Sequence, residues 1–186
     1  MSGTRYKRGQ ALMLTGELVT LRPVTTADLP LLYDLMRDPA TWLSASDKPL
    51  WPIPFAAFKE MYAKRAADEE AEFSIEADGV LVGRCALFGF DVLSRNATLG
   101  ISLIEQQRGK GYGRDAVGVL LDYGFNKRNL HRIHLDVLAG NTPAIRSYLS
   151  SGFVEEGRLR DAAYVAGGFD DLVVMSMLRT EWLARL

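Results

Sequence analysis

Polar and apolar residues alternate along Glu17-Leu18-Val19-Thr20-Leu21-Arg22 and stop at Pro23, a period of two that predicts a first strand. Thr25, Thr26 and Asp28 then offer capping side chains to a helix carrying Leu31, Leu32, Leu35 and Met36, and Pro39 ends it. Phe58, Met61 and Tyr62 recur at helical spacing, which predicts a second helix over Phe55 to Ala67. The acidic run at its exit, Asp68, Glu69, Glu70 and Glu72, reads as solvated surface without chemistry. Strands follow at Phe73 to Ala77, Val80 to Phe90 and Ala97 to Ile104. Asp78-Gly79 between the first two predicts a hairpin, because glycine accepts the positive φ the turn demands.

Val117, Leu120, Leu121 and Phe125 mark a third helix, and Arg132 to Leu138 alternates as a strand. Asn141 then caps a helix with Pro143 in its first turn, Ile145, Tyr148 and Leu149 along it, and Gly152 at its end. Strands and helices thus interleave.

Composition narrows the function. Apolar residues make up 48% of the chain, enough for a substantial core. Lys and Arg number 22 against 23 Asp and Glu, a net charge of −1 that excludes a general polyanion binder and predicts no nucleic-acid partner. The one cysteine, Cys85, permits no intrachain disulfide and implies a reducing, cytoplasmic setting. It falls in a predicted strand with no obvious base beside it, as a buried inert thiol would. No run approaches the roughly 20 apolar residues a bilayer demands, so no membrane is expected as a partner. Arg5, Lys7 and Arg8 sit in a basic N-terminal stretch that reads as a frayed end. The expected organisation is a flexible tail over 1–13 and one domain over 14–186.

The most informative segment is Gln107-Arg108-Gly109-Lys110-Gly111-Tyr112-Gly113-Arg114, set between a strand and a helix. Glycines at alternate positions let a ligand approach the backbone without Cβ atoms in the way. The helix start adds unpaired N–H groups and the positive end of its dipole. Arg108, Lys110 and Arg114 add formal charge, and the whole reads as a pyrophosphate cradle. A P-loop needs G-x-x-x-x-G-K-[ST], which is absent here. A dinucleotide fingerprint fits Gly111, Gly113 and Ala116, but it belongs at the start of a βαβ series, and too little chain follows.

Arg108-x-x-Gly111-x-Gly113 resembles the [RQ]-x-x-G-x-[GA] signature of the GNAT superfamily of acetyl-CoA-dependent N-acetyltransferases. Asn141-x-x-Ala144-x-x-x-Tyr148-x-x-x-Gly152-Phe153 resembles that superfamily's second motif, in the right order. Leu18-Val19-Thr20-Leu21-Arg22-Pro23 with Asp28 looks like the opening of its Rim-type branch, which includes ribosomal-protein N-terminal acetyltransferases. Gly157 through Met177 looks like that branch's last two strands, joined by a loop at Gly167 to Asp171. The resemblance runs from about Leu14 to about Leu178. It implies an α/β fold with a mixed, mostly antiparallel central sheet, helices on both faces, and a splay near the middle. It also implies that the Leu103 and Ile104 backbone pairs with the pantetheine arm and that Arg108 to Arg114 hold the pyrophosphate. Asn141 and Ala144 would lie along the arm, and Tyr148 would protonate the departing thiolate. Dimers are common in this superfamily, which admits a homodimer beside the acetyl-CoA and amine partners.

The acceptor amine must be neutral to attack a thioester. A lysine-like amine near pKa 10.4 is only ~0.1% neutral around neutral pH, whereas an α-amine near 7.7–8 is roughly a quarter neutral. That difference favours a protein or peptide N-terminus as acceptor; a small amine, such as a polyamine or amino-sugar antibiotic, is the alternative, and a non-catalytic acyl-CoA-binding module is the other. Relatives often carry a carboxylate two residues before the strand glycine, where this chain has Thr98, so no base is evident. Ser102, on the same strand face, is the candidate for holding a relay water. His131 and His134 are expected to face opposite sides, poor geometry for a metal, and both read as structural or surface residues. No metal is expected. With Cys85 away from the loop, transfer should be direct. Trp42 and Trp51, in a proline-rich loop, are candidates to line the acceptor site.

Overall fold

Eight strands form among the residues that the computed structural model describes, 12–38, 52–65, 70–165 and 167–186. The expectations for most of the tail, and those for Pro39, Trp42, Trp51, Asp68 and Glu69, lie outside these residues. The strands are β1 Leu14–Thr15, β2 Thr20–Pro23, β3 Ala71–Ala77, β4 Val80–Asp91, β5 Asn96–Leu103, β6 Arg132–Leu138, β7 Val154–Val165 and β8 Gly168–Leu178. They form one sheet in the order β1-β2-β3-β4-β5-β6-β8-β7. The helices are α1 Leu29–Arg37, α2 Phe55–Arg65, α3 Tyr112–Asp122, α4 Thr142–Ser151 and α5 Arg179–Leu183. Every neighbouring strand pair is antiparallel except β5 with β6. That parallel pair is held only at Asn96–Arg132, Ala97–Ile133 and Thr98–His134, and the strands part beyond it. The fold is therefore the mixed α/β sheet the sequence implied.

One sheet face buries Phe73, Ile75, Leu87, Ile133 and Met175 under Val117, Leu120 and Leu121 of α3 and under Trp182 of α5. The other face carries a smaller cluster, in which Leu29, Leu32 and Leu35 of α1 meet Phe58 and Tyr62 of α2. Each such fully buried side chain contributes roughly 1.5–3 kcal/mol. Cys85, 1% exposed, belongs to the first core, and burial pushes its thiol far above the usual range, so it is an inert apolar filler.

Local signals set several boundaries. Asp78 (φ 50°) and Gly79 (φ 76°) make the β3–β4 hairpin turn. Asn141 accepts from the Ala144 amide at 3.3 Å, and Gly152 ends α4 with φ 99°. Three readings need correction. Gly168 to Asp171 belong to β8 rather than to a loop. Glu72 is not solvated surface: it lies in β3, its side chain 11% exposed, accepting from Arg84 at 2.6 Å and from the Tyr62 hydroxyl at 2.8 Å. Asp28 precedes α1 but does not cap it through its side chain. Its carboxylate turns back to Arg22 (2.7 and 2.9 Å), the Thr25 amide (2.7 Å) and Ser74 (3.0 Å).

Burial would raise the Asp28 carboxyl, but the Arg22 guanidinium, Thr25 and Ser74 outweigh it and hold it well below the usual carboxylate range. A depressed folded-state value means the stabilisation is complete above the unfolded value near 4 and fades as pH falls through the folded one. Asp28→Asn is therefore expected to lower unfolding free energy by about 3 kcal/mol at neutral pH, with a smaller loss in acid. Urea unfolding at two pH values checks this.

Candidate active site

Beyond Thr98, the edge of β5 that faces β6 has no strand partner among the described residues. A cleft of about 820 Å³ opens there, lined by Thr98 to Leu103 on one side and by Asp136 to Leu138, Asn141, Ala144 and Tyr148 on the other. The splay is a consequence of topology, since β6 leaves β5 to follow β8 along its whole length.

The glycine loop closes one end. After β5, a 3-10 turn over Glu105–Gln107 leads to Arg108, whose Nε donates to the Leu103 carbonyl at 3.1 Å. Gly109 (φ 76°) and Gly111 (φ 88°) hold backbone conformations that side-chain-bearing residues avoid. Gly111 is the N-cap of α3, and the first helical bond runs from the Asp115 amide to its carbonyl. The amides of Tyr112, Gly113 and Arg114 precede that bond, so they stand at the helix start as donors. A Cβ on Gly111 would come 3.1 Å from Leu18 Cδ1, and one on Gly113 3.3 Å from Leu103 Cδ1. The loop is a concavity kept open by missing side chains, and it fits a pyrophosphate.

A residue the sequence reading passed over fixes this loop. The Asp115 carboxylate accepts from the amides of Glu17 (3.1 Å), Leu18 (2.7 Å) and Val19 (2.9 Å), tying the N-terminal strands to α3. Nothing local in the sequence signals it, because the donors are backbone groups distant along the chain.

The structure brings Ser102, Leu103, Arg108, Gly109, Gly111, Gly113, Arg114, Asn141, Ala144 and Tyr148 to the cleft. Three expected residues stand outside its lining. Lys110 Nζ donates to Gln107 Oε1 at 2.8 Å, Tyr112 packs against the main core, and Ile104 packs toward the α1–α2 cluster. The Ile104 amide donates to the Val82 carbonyl at 3.0 Å, so it is not free to pair with a ligand arm.

Tyr148 projects from α4 beside Phe153, with ring centroids 5.6 Å apart. Burial pushes its hydroxyl up to about 12, so it keeps its hydrogen throughout the neutral range. On β5, Thr98, Gly100 and Ser102 share the face opposite the main core, where Phe88 sits across from Thr98 and Arg84 across from Ser102. His131 is exposed, whereas His134 is half-buried, its Nε2 3.2 Å from Thr98 Oγ1. A second cavity of about 380 Å³ lies on the α1–α2 side and includes Tyr62, Glu70 and Glu72. Among the described residues, no helix is long and apolar enough to cross a membrane, and no three His, Cys, Asp or Glu group as metal ligands.

The cleft thus joins a glycine-rich helix start, an open strand edge beside it and a tyrosine across from that edge. The family model for the acetyltransferase (GNAT) domain matches residues 19–154. The chain is 31% identical to the spermidine N(1)-acetyltransferase of Vibrio cholerae over 169 residues, 90% of this chain and 96% of that one. It is 35% identical over 105 residues, 56% of this chain and 57% of that one, to Bacillus subtilis YdaF, whose name assigns it provisionally to ribosomal N-acetylation. A crystal structure of the Vibrio cholerae spermidine N-acetyltransferase in complex with CoA and spermine superposes with a TM-score of 0.84 at 29% identity, covering 89% of this chain and 98% of that one. The chain belongs to the GNAT acetyltransferase family. It is an acetyl-CoA-dependent N-acetyltransferase.

Proposed function

We propose that the acceptor is a primary amine of a small polycation of the spermidine type. The observation that carries this is the near full-length likeness to spermidine N-acetyltransferases in both sequence and fold. It reverses the order in which the sequence placed the two acceptors, where an N-terminal amine came first. Charge supports it: Asp136 lies in the cleft, and Glu70 lines the second cavity on the α1–α2 side, where Glu72 is taken up by Arg84. Carboxylates there suit an acceptor that carries further ammonium groups beyond the reacting one. The second reading, a ribosomal-protein N-terminus as in the Rim-type branch, draws on the shorter likeness to YdaF.

In this reading the amides of the glycine loop, with Arg108 and Arg114, hold the pyrophosphate, and the unpaired edge of β5 up to Leu103 aligns the pantetheine arm. Asn141 and Ala144 flank that arm. Acetyl-CoA supplies the activated acyl group. A new bond joins the amine nitrogen to the acetyl carbon as the carbon–sulfur bond breaks. An ammonium loses two protons overall: one is balanced by the hydrogen that Tyr148 gives to sulfur, and the other goes to solvent. Ser102, which lines the cleft, is assigned in this reading to hold the water that relays the acceptor's proton.

The test is thiol release across an amine panel. Spermidine and spermine should turn over at least tenfold faster, by kcat/KM, than peptides with varied N-terminal residues. Peptides that outrun the polyamines would establish the second reading instead.

A further inference from the structure

His134 Nδ1 is buried and has no hydrogen-bond partner among the described residues, while the other ring nitrogen lies 3.2 Å from Thr98 Oγ1. The Glu156 carboxylate, on β7 beyond β8, is already engaged, accepting from Arg132 and from the Ser176 hydroxyl. A buried N–H without an acceptor costs more than a bare lone pair. The ring hydrogen therefore belongs on Nε2, which donates it to Thr98 Oγ1. A threonine hydroxyl has one hydrogen to give. With His134 as the donor in that contact, Thr98 has its own hydrogen left to give to the cleft it lines.

Thr98 and His134 are also the last register at which β5 and β6 pair, so this hydroxyl stands at the closed end of the splay, opposite the glycine loop. We propose that Thr98, oriented by His134, donates a hydrogen bond to the thioester carbonyl oxygen of bound acetyl-CoA. Negative charge gathers on that oxygen as the amine nitrogen attacks, and a donor fixed in advance stabilises it without reorganisation. Thr98 is the contacting group and His134 its positioning residue. The assignment rests on the cleft being the acetyl-CoA site and is indifferent to which amine is the acceptor.

The experiment reads the carbonyl directly. Acetyl-CoA carrying a 13C-labelled acetyl carbonyl is bound to the whole protein without any amine, and its infrared stretching band is recorded. In the wild type the band should fall below its position in Thr98→Val, while Thr98→Ser keeps the lower frequency. Acetyl-CoA affinity, by calorimetry, should stay within about threefold for all three. With an amine added, kcat should fall about a hundredfold in Thr98→Val, the range seen when such a donor is removed. His134→Phe should shift the band upward and lower kcat, whereas His134→Gln, whose amide N–H can reach the same oxygen, should restore much of both. An unchanged band in Thr98→Val, or a His134→Gln variant as slow as His134→Phe, overturns the proposal. A wild type that shows the band shift but acetylates no polyamine leaves Thr98 in place and refutes the acceptor reading instead.

Discussion

Gly111→Val is expected to abolish acetyl-CoA binding while the sheet stays folded. Gly111 sits at φ 88°, in a region that costs an L-residue about 1–2 kcal/mol and a β-branched one more. Its new Cβ would also press within 3.1 Å of Leu18 Cδ1. Leu18 is half exposed and its side chain can yield, so the global cost stays small. The local cost does not, because relief comes from rotating the loop to negative φ, which turns the amides at the start of α3 away from the cradle. Hydrogen bonds to a charged group contribute about 1.5–3 kcal/mol each, so losing two weakens binding by roughly two to four orders of magnitude. Calorimetric titration with acetyl-CoA checks the loss, and thermal melting checks the fold. Unchanged affinity would remove the loop from the binding site.

Tyr148→Phe should cut kcat by about two to four orders of magnitude, the usual contribution of a positioned proton donor, and leave acetyl-CoA affinity within about twofold. The substitution preserves ring volume and the contact with Phe153, so a packing role would pass through it unharmed. The pH profile adds a second reading. With the hydroxyl raised by burial to about 12, its ionisation contributes no fall in wild-type rate below about pH 10. Any alkaline limb seen under that value should persist in the variant. Stopped-flow thiol release over a pH series, together with equilibrium binding, separates the two quantities. An unaltered kcat would return Tyr148 to the hydrophobic core.

What was legible in the sequence was what the chain encodes within a few residues. The Asp78-Gly79 turn, the Asn141 cap, the Gly152 stop and the glycine loop each depend on neighbours in sequence. What was not legible depends on partners brought together by the sheet. Asp28 looked like a helix cap because its contact with Ser74, 46 residues away, leaves no local trace. Glu72 looked solvated because Arg84 reaches it only across the β3–β4 pairing. The contact of His134 with Thr98 arises only through the parallel seam between β5 and β6. The ordering of the two acceptors changes for a different reason, the likeness to spermidine N-acetyltransferases. The ease of deprotonating an amine says which acceptor is easier, not which one a cavity selects.

That seam of three residue pairs also makes ligand occupancy and stability a single quantity. The sheet folds one strand short along the open edge of β5, and in the function proposed above the extended pantetheine arm, with amide groups of its own, fills the gap. Occupancy then acts as a missing structural member. Ligand at about a hundred times its dissociation constant adds roughly 2.7 kcal/mol to the folded state, comparable to removing or restoring a buried side chain. A cell rich in the acyl donor would thus hold a sturdier enzyme than one depleted of it.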